Sequence, residues 1–284
     1  MYQEILYEVQ DPVATITLNR PEKLNAITTR LQQELKHALA DAEHRPEVVG
    51  IVLTGAGRGF CAGVDMNDLQ TIQAAGEIAA IHGATEFAGA EAGDRSMGPD
   101  FSRGLTYMLA VRKPIIAAVN GPCAGMGFSL AMFCDLRFGA EQAMFTAAYA
   151  QRGLVAEHGV SWVLPRLIGP SRALDILWSG RRLDGREAFD LGIANRVFPG
   201  DRLLEEAQAY VRTVATTASP ASLMRMKQQV YRHLMLPLGP AMVETERLMD
   251  DSVKAPDFQG GSPRSWSAGH PASHACPNRT QNAA

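Results

Sequence analysis

Two glycine-containing turns constrain this chain more than any other feature: Phe60-Cys61-Ala62-Gly63-Val64-Asp65 and Asn120-Gly121-Pro122-Cys123-Ala124-Gly125-Met126-Gly127-Phe128-Ser129. Each follows a short run rich in β-branched residues, at 48–54 and 115–119, and each precedes a helix-like apolar pattern. A strand that ends in a Gly-rich turn and opens a helix leaves backbone N–H groups unpaired and directed outward. Two such turns brought face to face hold one oxygen atom between two donors, the geometry of an oxyanion hole. Spacing alone does not establish that they face one another.

The rest of the pattern says what these turns are mounted on. Residues 13–18 alternate and read as a strand, stopped by Asn19-Arg20-Pro21. Thr29 with Gln32 predicts a capping box for a helix carrying Leu31, Leu35, Ala38 and Leu39 on one face. After the strand at 115–119 a helix is expected over 128–134, then a further strand at 135–138. Strand and helix alternate in this way in an α/β core rather than in segregated layers. Residues 71–104 are rich in Ala and Gly, with Gly89, Gly93, Gly98 and Pro99 interrupting any long helix, and read as a mobile, partly helical lid. From about 201 the pattern is helical, over 203–214, 223–234 and 241–253. The expected division is an α/β core over 1–200, a C-terminal helical part over 201–258 and a disordered tail over 259–284.

Composition narrows the partners. A net charge of −3 on 284 residues gives no electrostatic reason to expect nucleic acid. Cys61, Cys123, Cys134 and Cys276 lack metal-ligand pairing, and the first three sit among small or apolar residues, where a thiol packs as a small hydrophobe. His270 and His274 have H-x-x-x-H spacing but lie in the Pro/Ser-rich tail, so no metal site is inferred. There is no basic-then-apolar leader pattern and no apolar run of the roughly 20 residues that span a bilayer. A soluble, cytoplasmic protein with reduced thiols is expected.

Five segments resemble, in order, the signatures of the enoyl-CoA hydratase/isomerase (crotonase) family. They are Asn19-Arg20-Pro21-Glu22-Lys23-Leu24-Asn25-Ala26, the two Gly turns, Cys134-Asp135-Leu136-Arg137, and Ala188-Phe189-Asp190-Leu191-Gly192-Ile193-Ala194-Asn195-Arg196-Val197. The resemblance runs from about residue 5 to 258 and implies a spiral of β-β-α turns, with C-terminal helices that pack against neighbouring subunits in a trimer or a dimer of trimers. It implies an acyl-CoA thioester as substrate, with coenzyme A as part of that substrate and no separate cofactor. The implied oxyanion donors are the backbone N–H groups of Val64 and Met126. The implied adenine and pantetheine path runs along Lys23, Leu24 and Ala26, beside Ala62, Gly63, Asp65, Met66, Asn67 and Gly125. Asp65 also reads as the cap of the helix that follows it. The family supports several reactions on one scaffold, so resemblance alone leaves the reaction open.

One departure from the family pattern bears on the reaction. Hydratases of this family use two glutamates to add water; this chain has Ser129 and Tyr149 at those places, and neither is a strong general base near neutral pH. Ser129 is expected to hydrogen-bond ligand, water or backbone, and Tyr149 to donate to substrate or line the pocket. A carboxylate remains at Glu157, eight residues after Tyr149, where several isomerases of the family carry an acidic proton-transfer residue. Glu157 alone suffices to abstract, hold and redeliver a proton beside a thioester; a buried Glu next to an apolar acyl chain would have a raised pKa that suits the task. The competing expectation is that Glu157 caps a helix starting near Val160. His158 is a second acid/base candidate or orients Glu157. Three activities stay open: double-bond isomerisation through Glu157, hydration through Glu157 and a water, and acyl-CoA binding without turnover. The chain from 262 on does not resemble the usual family ending, so any contact that ending makes with coenzyme A has no counterpart to read here.

Overall fold

The computed structural model describes residues 1–77 and 85–259. The β-branched runs assemble into one six-stranded sheet. β1 (Ile5–Gln10) and β2 (Val13–Leu18) form an antiparallel hairpin that places Ile5 opposite Leu18. β3 (Gly50–Gly55), β4 (Ile115–Val119), β6 (Leu136–Ala140) and β9 (Arg196–Phe198) add in parallel, in the order β1-β2-β3-β4-β6-β9. Every residue of β3 and β4 is buried, which is why these two strands read as unbroken apolar runs rather than as alternation.

A second layer repeats the order of the first. β5 (Pro122–Ala124) pairs in parallel with β7 (Met144–Thr146), and β8 (Leu183–Asp184) closes antiparallel on β7. Single-residue parallel bridges, Cys61 with Cys123 and Ile27 with Val64, extend this layer toward the N-terminal side. The chain thus passes through the large sheet, the second layer and a helix in each turn. β2 leads through Ile27 to α1 (Thr29–His44), and β3 through Cys61 to α2 (Met66–Ala75). After the short α3 (Tyr107–Ala110), β4 and β5 lead to α4 (Met126–Met132), and β6 and β7 to α5 (Val160–Ile168). This is the β-β-α spiral that the resemblance implies.

Local chemistry sets the boundaries. The cap of α1 is Thr28, not Thr29: its hydroxyl accepts from the Leu31 N–H at 3.0 Å, so Gln32 has no part in a capping box. The expected face of α1 is nevertheless the buried one, with Leu31, Leu35, Ala38 and Leu39 in the core. α4 starts at Met126, two residues earlier than its apolar pattern indicates. β1 alternates, with Leu6, Glu8 and Gln10 facing outward, and its pairing with β2 completes the hairpin. α6 (Pro170–Ser179) and α7 (Gly185–Leu191) complete the outer layer.

Beyond residue 201, α8 (Leu203–Thr217) lies on the sheet with Leu203, Ala207 and Val211 buried. A Cβ at Gly50 would come within 3.0 Å of Val211 Cγ1, so this helix packs directly onto the β3 backbone. α9 (Pro220–His233) differs: its apolar residues Met226 and Val230, and Leu234 just beyond it, are exposed, as are Leu238, Met242 and Val243 on α10 (Leu238–Val253). A last short helix, α11, covers Pro256–Gln259. α9 is tied to the core by buried Lys227, whose Nζ lies 2.8 Å from an Asp135 carboxylate oxygen and 3.1 Å from the Met108 and Lys113 carbonyls. Tyr231 donates to the same carboxylate at 2.9 Å. Arg137 is also buried, donating to the Ile193 carbonyl at 2.6 Å and the Cys134 carbonyl at 2.7 Å. Asp135 and Arg137 of the fourth signature therefore knit the core, as does Asn195 of the fifth, whose Oδ1 accepts the Arg137 N–H at 2.8 Å.

Within the expected lid, α2 reaches Ala75, residues 78–84 lie outside the described residues, and two 3-10 turns, Arg95–Met97 and Pro99–Phe101, anchor the remainder through buried Ala92, Met97 and Phe101. His270, His274, Cys276 and the expected tail from residue 260 also lie outside the described residues. Among the described residues no helix is long and apolar enough to cross a membrane.

Candidate active site

The first signature folds into a turn that braces the first Gly loop. Leu24 and Asn25 adopt positive φ angles of 49° and 56°, and the fully buried Asn25 amide donates to the Gly59 carbonyl at 2.8 Å and the Ala56 carbonyl at 3.0 Å. Such a conformation suits Asn, whose short amide satisfies backbone groups locally. The Ala62 N–H then donates to the Leu24 carbonyl at 2.9 Å, and the Ile27 N–H to the Gly63 carbonyl at 2.7 Å. Arg20 locks the same corner, with Nη1 at 2.6 Å from the Ala26 carbonyl and 2.9 Å from Asp65 Oδ2.

The two Gly turns meet. The Cys61 N–H donates to the Pro122 carbonyl at 3.0 Å, and the Ala124 N–H to the Cys61 carbonyl at 2.9 Å. Two glycines make this approach possible. A Cβ at Gly127 would fall 2.2 Å from the Cys61 carbonyl oxygen; one at Gly63, where φ is 105°, would fall 3.1 Å from the Ala124 oxygen and 3.5 Å from the Met126 nitrogen. Met126 is the first residue of α4, so its N–H has no intrahelical acceptor. The Val64 N–H sits between Gly63 and Asp65, whose groups are both committed to Ile27. Among the described residues neither the Val64 nor the Met126 amide has an acceptor.

Val64 and Met126 both line a cavity of about 290 Å³. Of the residues singled out in the sequence, Lys23, Ala26, Ala62, Gly63, Val64 and Asp65 line one side. Met66 and Asn67 continue that side along the start of α2, while Gly125, Met126, Tyr149 and Glu157 form the other. Three stand outside its wall. Leu24 packs its side chain toward Gly59 and takes part only through its carbonyl. Ser129 is fully buried behind Tyr149. His158 stands beside Glu157, its Nε2 4.0 Å from Oε2. The cavity also takes in Leu69, Ala124, Ala148, Arg152 and Leu154, which the sequence reading did not single out. Their one shared signal is proximity to the motifs, and only Arg152 brings charge.

The two cavity carboxylates differ in commitment. Asp65 caps α2 by accepting from the Asn67 N–H at 2.9 Å. Burial pushes its carboxyl upward, but that N–H and the Arg20 guanidinium outweigh burial and hold it below the usual carboxylate range. Glu157 is free of such ties. The cap position of α5 belongs to Gly159 with no side-chain bond, so the capping expectation for Glu157 has no counterpart here. Its side chain is 24% exposed rather than buried, and its one close polar neighbour among the described residues is the His158 ring. Tyr149, by contrast, donates to the Gly125 carbonyl at 2.8 Å and shares a short hydrogen bond with Ser129. Burial pushes the Tyr149 phenol up, and Glu157 adds to this against the Ser129 bond, so it stays protonated. Burial likewise pushes the Cys61 thiol up to about 12, which makes it a packing group and not a nucleophile. Among the described residues no group of three His, Cys, Asp or Glu side chains is placed to hold a metal ion.

Burial lowers the His158 pKa more than the Glu157 carboxylate raises it. The unfolded chain therefore binds a proton, at pH values just below the ordinary His value of about 6.5, that the folded chain does not. Stability contributed by neutral His158 is full above that value and is lost as pH falls toward the folded pKa. His158→Asn, which tolerates the residue's φ of 54°, is expected to flatten the fall of Tm between about pH 6.5 and 5. An unchanged slope in thermal melts across that range would assign the acid sensitivity elsewhere.

The sequence and the fold are similar to those of known proteins. The enoyl-CoA hydratase/isomerase family profile matches residues 8–264. A probable enoyl-CoA hydratase of Rhizobium meliloti is 34% identical over 260 residues, covering 92% of this chain and 93% of the relative. The 1,2-epoxyphenylacetyl-CoA isomerase of Escherichia coli is 35% identical over 218 residues, covering 76% and 78%. Among solved structures, an enoyl-CoA hydratase subunit I from Geobacillus kaustophilus superposes with a TM-score of 0.77 at 29% identity, covering 92% of this chain and 93% of that one. With the spiral fold, the paired Gly turns and these matches in agreement, the chain belongs to the enoyl-CoA hydratase/isomerase family, whose enzymes act on coenzyme A thioesters.

Proposed function

We propose that this protein isomerises an enoyl-CoA double bond, with Glu157 as the single proton shuttle. The observation that carries this reading is one uncommitted carboxylate, Glu157, facing the same cavity as the two acceptor-free amides of Val64 and Met126. The thioester carbonyl oxygen sits between those amides, each worth roughly 3–4 kcal/mol to the developing enolate. Glu157 takes the proton from the carbon next to the thioester, and the electron pair moves onto the carbonyl oxygen. Redelivery of that proton two carbons further along shifts a 3,4 double bond to the 2,3 position, with no water, oxidant or metal consumed. Lys23, Ala26 and Asn67, which line the cavity, hold the coenzyme A part of the substrate.

Ser129 and Tyr149 stand where the hydratases of the family carry their glutamates, and here they bond to each other and to backbone. Water addition by a carboxylate pair has no counterpart in that arrangement. A 3-enoyl-CoA offered in buffer is expected to yield the conjugated 2-enoyl thioester, seen as a rise in its ultraviolet absorbance. A steady loss of that absorbance from 2-enoyl-CoA, with formation of the hydroxyacyl product, would instead make the protein a hydratase working through Glu157 and water. Intact binding of thioesters without either reaction would make it a silent acyl-CoA binder.

The exposed apolar residues Met226, Val230 and Leu234, with Leu238, Met242 and Val243, fit burial against neighbouring copies in a cytoplasmic trimer or dimer of trimers. Light scattering at micromolar concentration is expected to give the mass of three or six chains; a monomer would overturn this assembly.

A further inference from the structure

The Tyr149 side chain borders the cavity, yet its hydroxyl is committed to the protein. A carbonyl only accepts, so the 2.8 Å contact with the Gly125 oxygen uses the phenol proton. The buried Ser129 hydroxyl therefore donates to the phenol oxygen. The same Gly125 oxygen also accepts the Ser129 N–H at 3.0 Å, with the Ser129 Oγ a more distant third neighbour at 3.5 Å. The peptide group that begins with this carbonyl ends with the Met126 N–H. Because the group is planar and trans, holding the oxygen on one side fixes the direction of the N–H on the other, and Met126 lines the cavity. Gly125 itself, at φ 52° and ψ −122°, has a conformation open to glycine alone and offers little intrinsic resistance to rotation of that peptide. The restraint has to come from outside it.

We propose that Tyr149, oriented by Ser129, is a positioning residue for the oxyanion site: its phenol fixes and polarises the Gly125–Met126 peptide through the carbonyl end. This rests on the reading that the Met126 amide binds the thioester oxygen. A donor on an amide oxygen draws electron density through the peptide and strengthens the N–H at its other end, as in any hydrogen-bonded chain. The two side chains that replace the hydratase glutamates thus serve the amide rather than the proton transfer.

The test uses butyryl-CoA labelled with ¹³C at the thioester carbonyl, a saturated probe that binds without turning over, together with turnover of a 3-enoyl-CoA. Bound to the unsubstituted protein, the carbonyl stretch is expected to move to lower frequency, and Tyr149→Phe to remove a clear part of that displacement. Turnover in Tyr149→Phe should fall roughly 10-fold, the worth of one neutral hydrogen bond, with little change in KM. Ser129→Ala should act in the same direction with a smaller effect on both readouts. A full displacement retained in Tyr149→Phe, whatever its turnover, would overturn the positioning role and leave the oxyanion reading standing. No displacement in the unsubstituted protein would overturn the oxyanion reading, and this proposal with it.

Discussion

Glu157→Gln is expected to lower turnover by roughly 10²–10⁴-fold, the usual contribution of a general acid–base group, while leaving acyl-CoA affinity nearly unchanged. The amide side chain keeps the shape and hydrogen-bonding capacity of the carboxylate but cannot take the proton. Affinity survives because the Val64 and Met126 amides and the Lys23–Ala26 turn are untouched. Stability should also survive within about 0.5 kcal/mol: the side chain caps no helix and stands at the cavity surface. A stability loss on the order of 1 kcal/mol with normal chemistry would restore the capping role. Tyr149→Phe and Ser129→Ala, assayed beside it, should each lose less activity. Near-normal turnover in Glu157→Gln, or a larger loss in either companion, would sink the shuttle.

Gly127→Ala should damage fold and site together. The added methyl would lie 2.2 Å from the Cys61 carbonyl oxygen, with the Cys61 side chain at 2.7 Å, so backbone must move. Overpacking of this kind costs about 1–3 kcal/mol, more when backbone resists. The movement available is separation of the two Gly turns, which displaces the Met126 amide from the position it shares with Val64. Loss of one oxyanion donor lowers turnover by roughly 10²–10³-fold. The expected result is therefore a lower Tm together with protein that binds thioesters yet turns them over at least 100-fold more slowly. A variant with unchanged Tm and turnover would show that the turns do not need to touch. Gly76→Ala is a useful contrast, since a Cβ there meets nothing within 4 Å and only its φ of 71° is strained.

Much of the frame was legible along the chain because its signals are local. Alternation located β2 at Val13–Leu18, an unbroken apolar run located β4 at Ile115–Val119, and a 3.6-residue period identified the buried face of α1. Where the family resemblance implies the hydratase glutamates, residue chemistry speaks against a carboxylate pair, since Ser129 and Tyr149 are poor bases in any fold. β1 shows the same alternation over residues 7–10, but its place at the sheet edge was not legible, because pairing with β2 sets it. Nor were the start of α4 and the Thr28 cap, which depend on where the backbone leaves a turn.

What the amino-acid order determined by itself was two glycine turns, each joining strand to helix, and one carboxylate near Tyr149. Only the tertiary structure decided that the turns touch, through the Cys61–Cys123 bridge and the bare Gly127 backbone, across some 60 residues of intervening chain. It also decided that Glu157 turns to the cavity while Gly159 takes the cap position of α5. Likewise it brought Tyr149 onto the carbonyl that precedes the Met126 amide. The physical reason is one of range. Periodicity and turn preference report on neighbours within a few residues, whereas an oxyanion site is made of backbone groups whose separation is set by the pairing of distant strands.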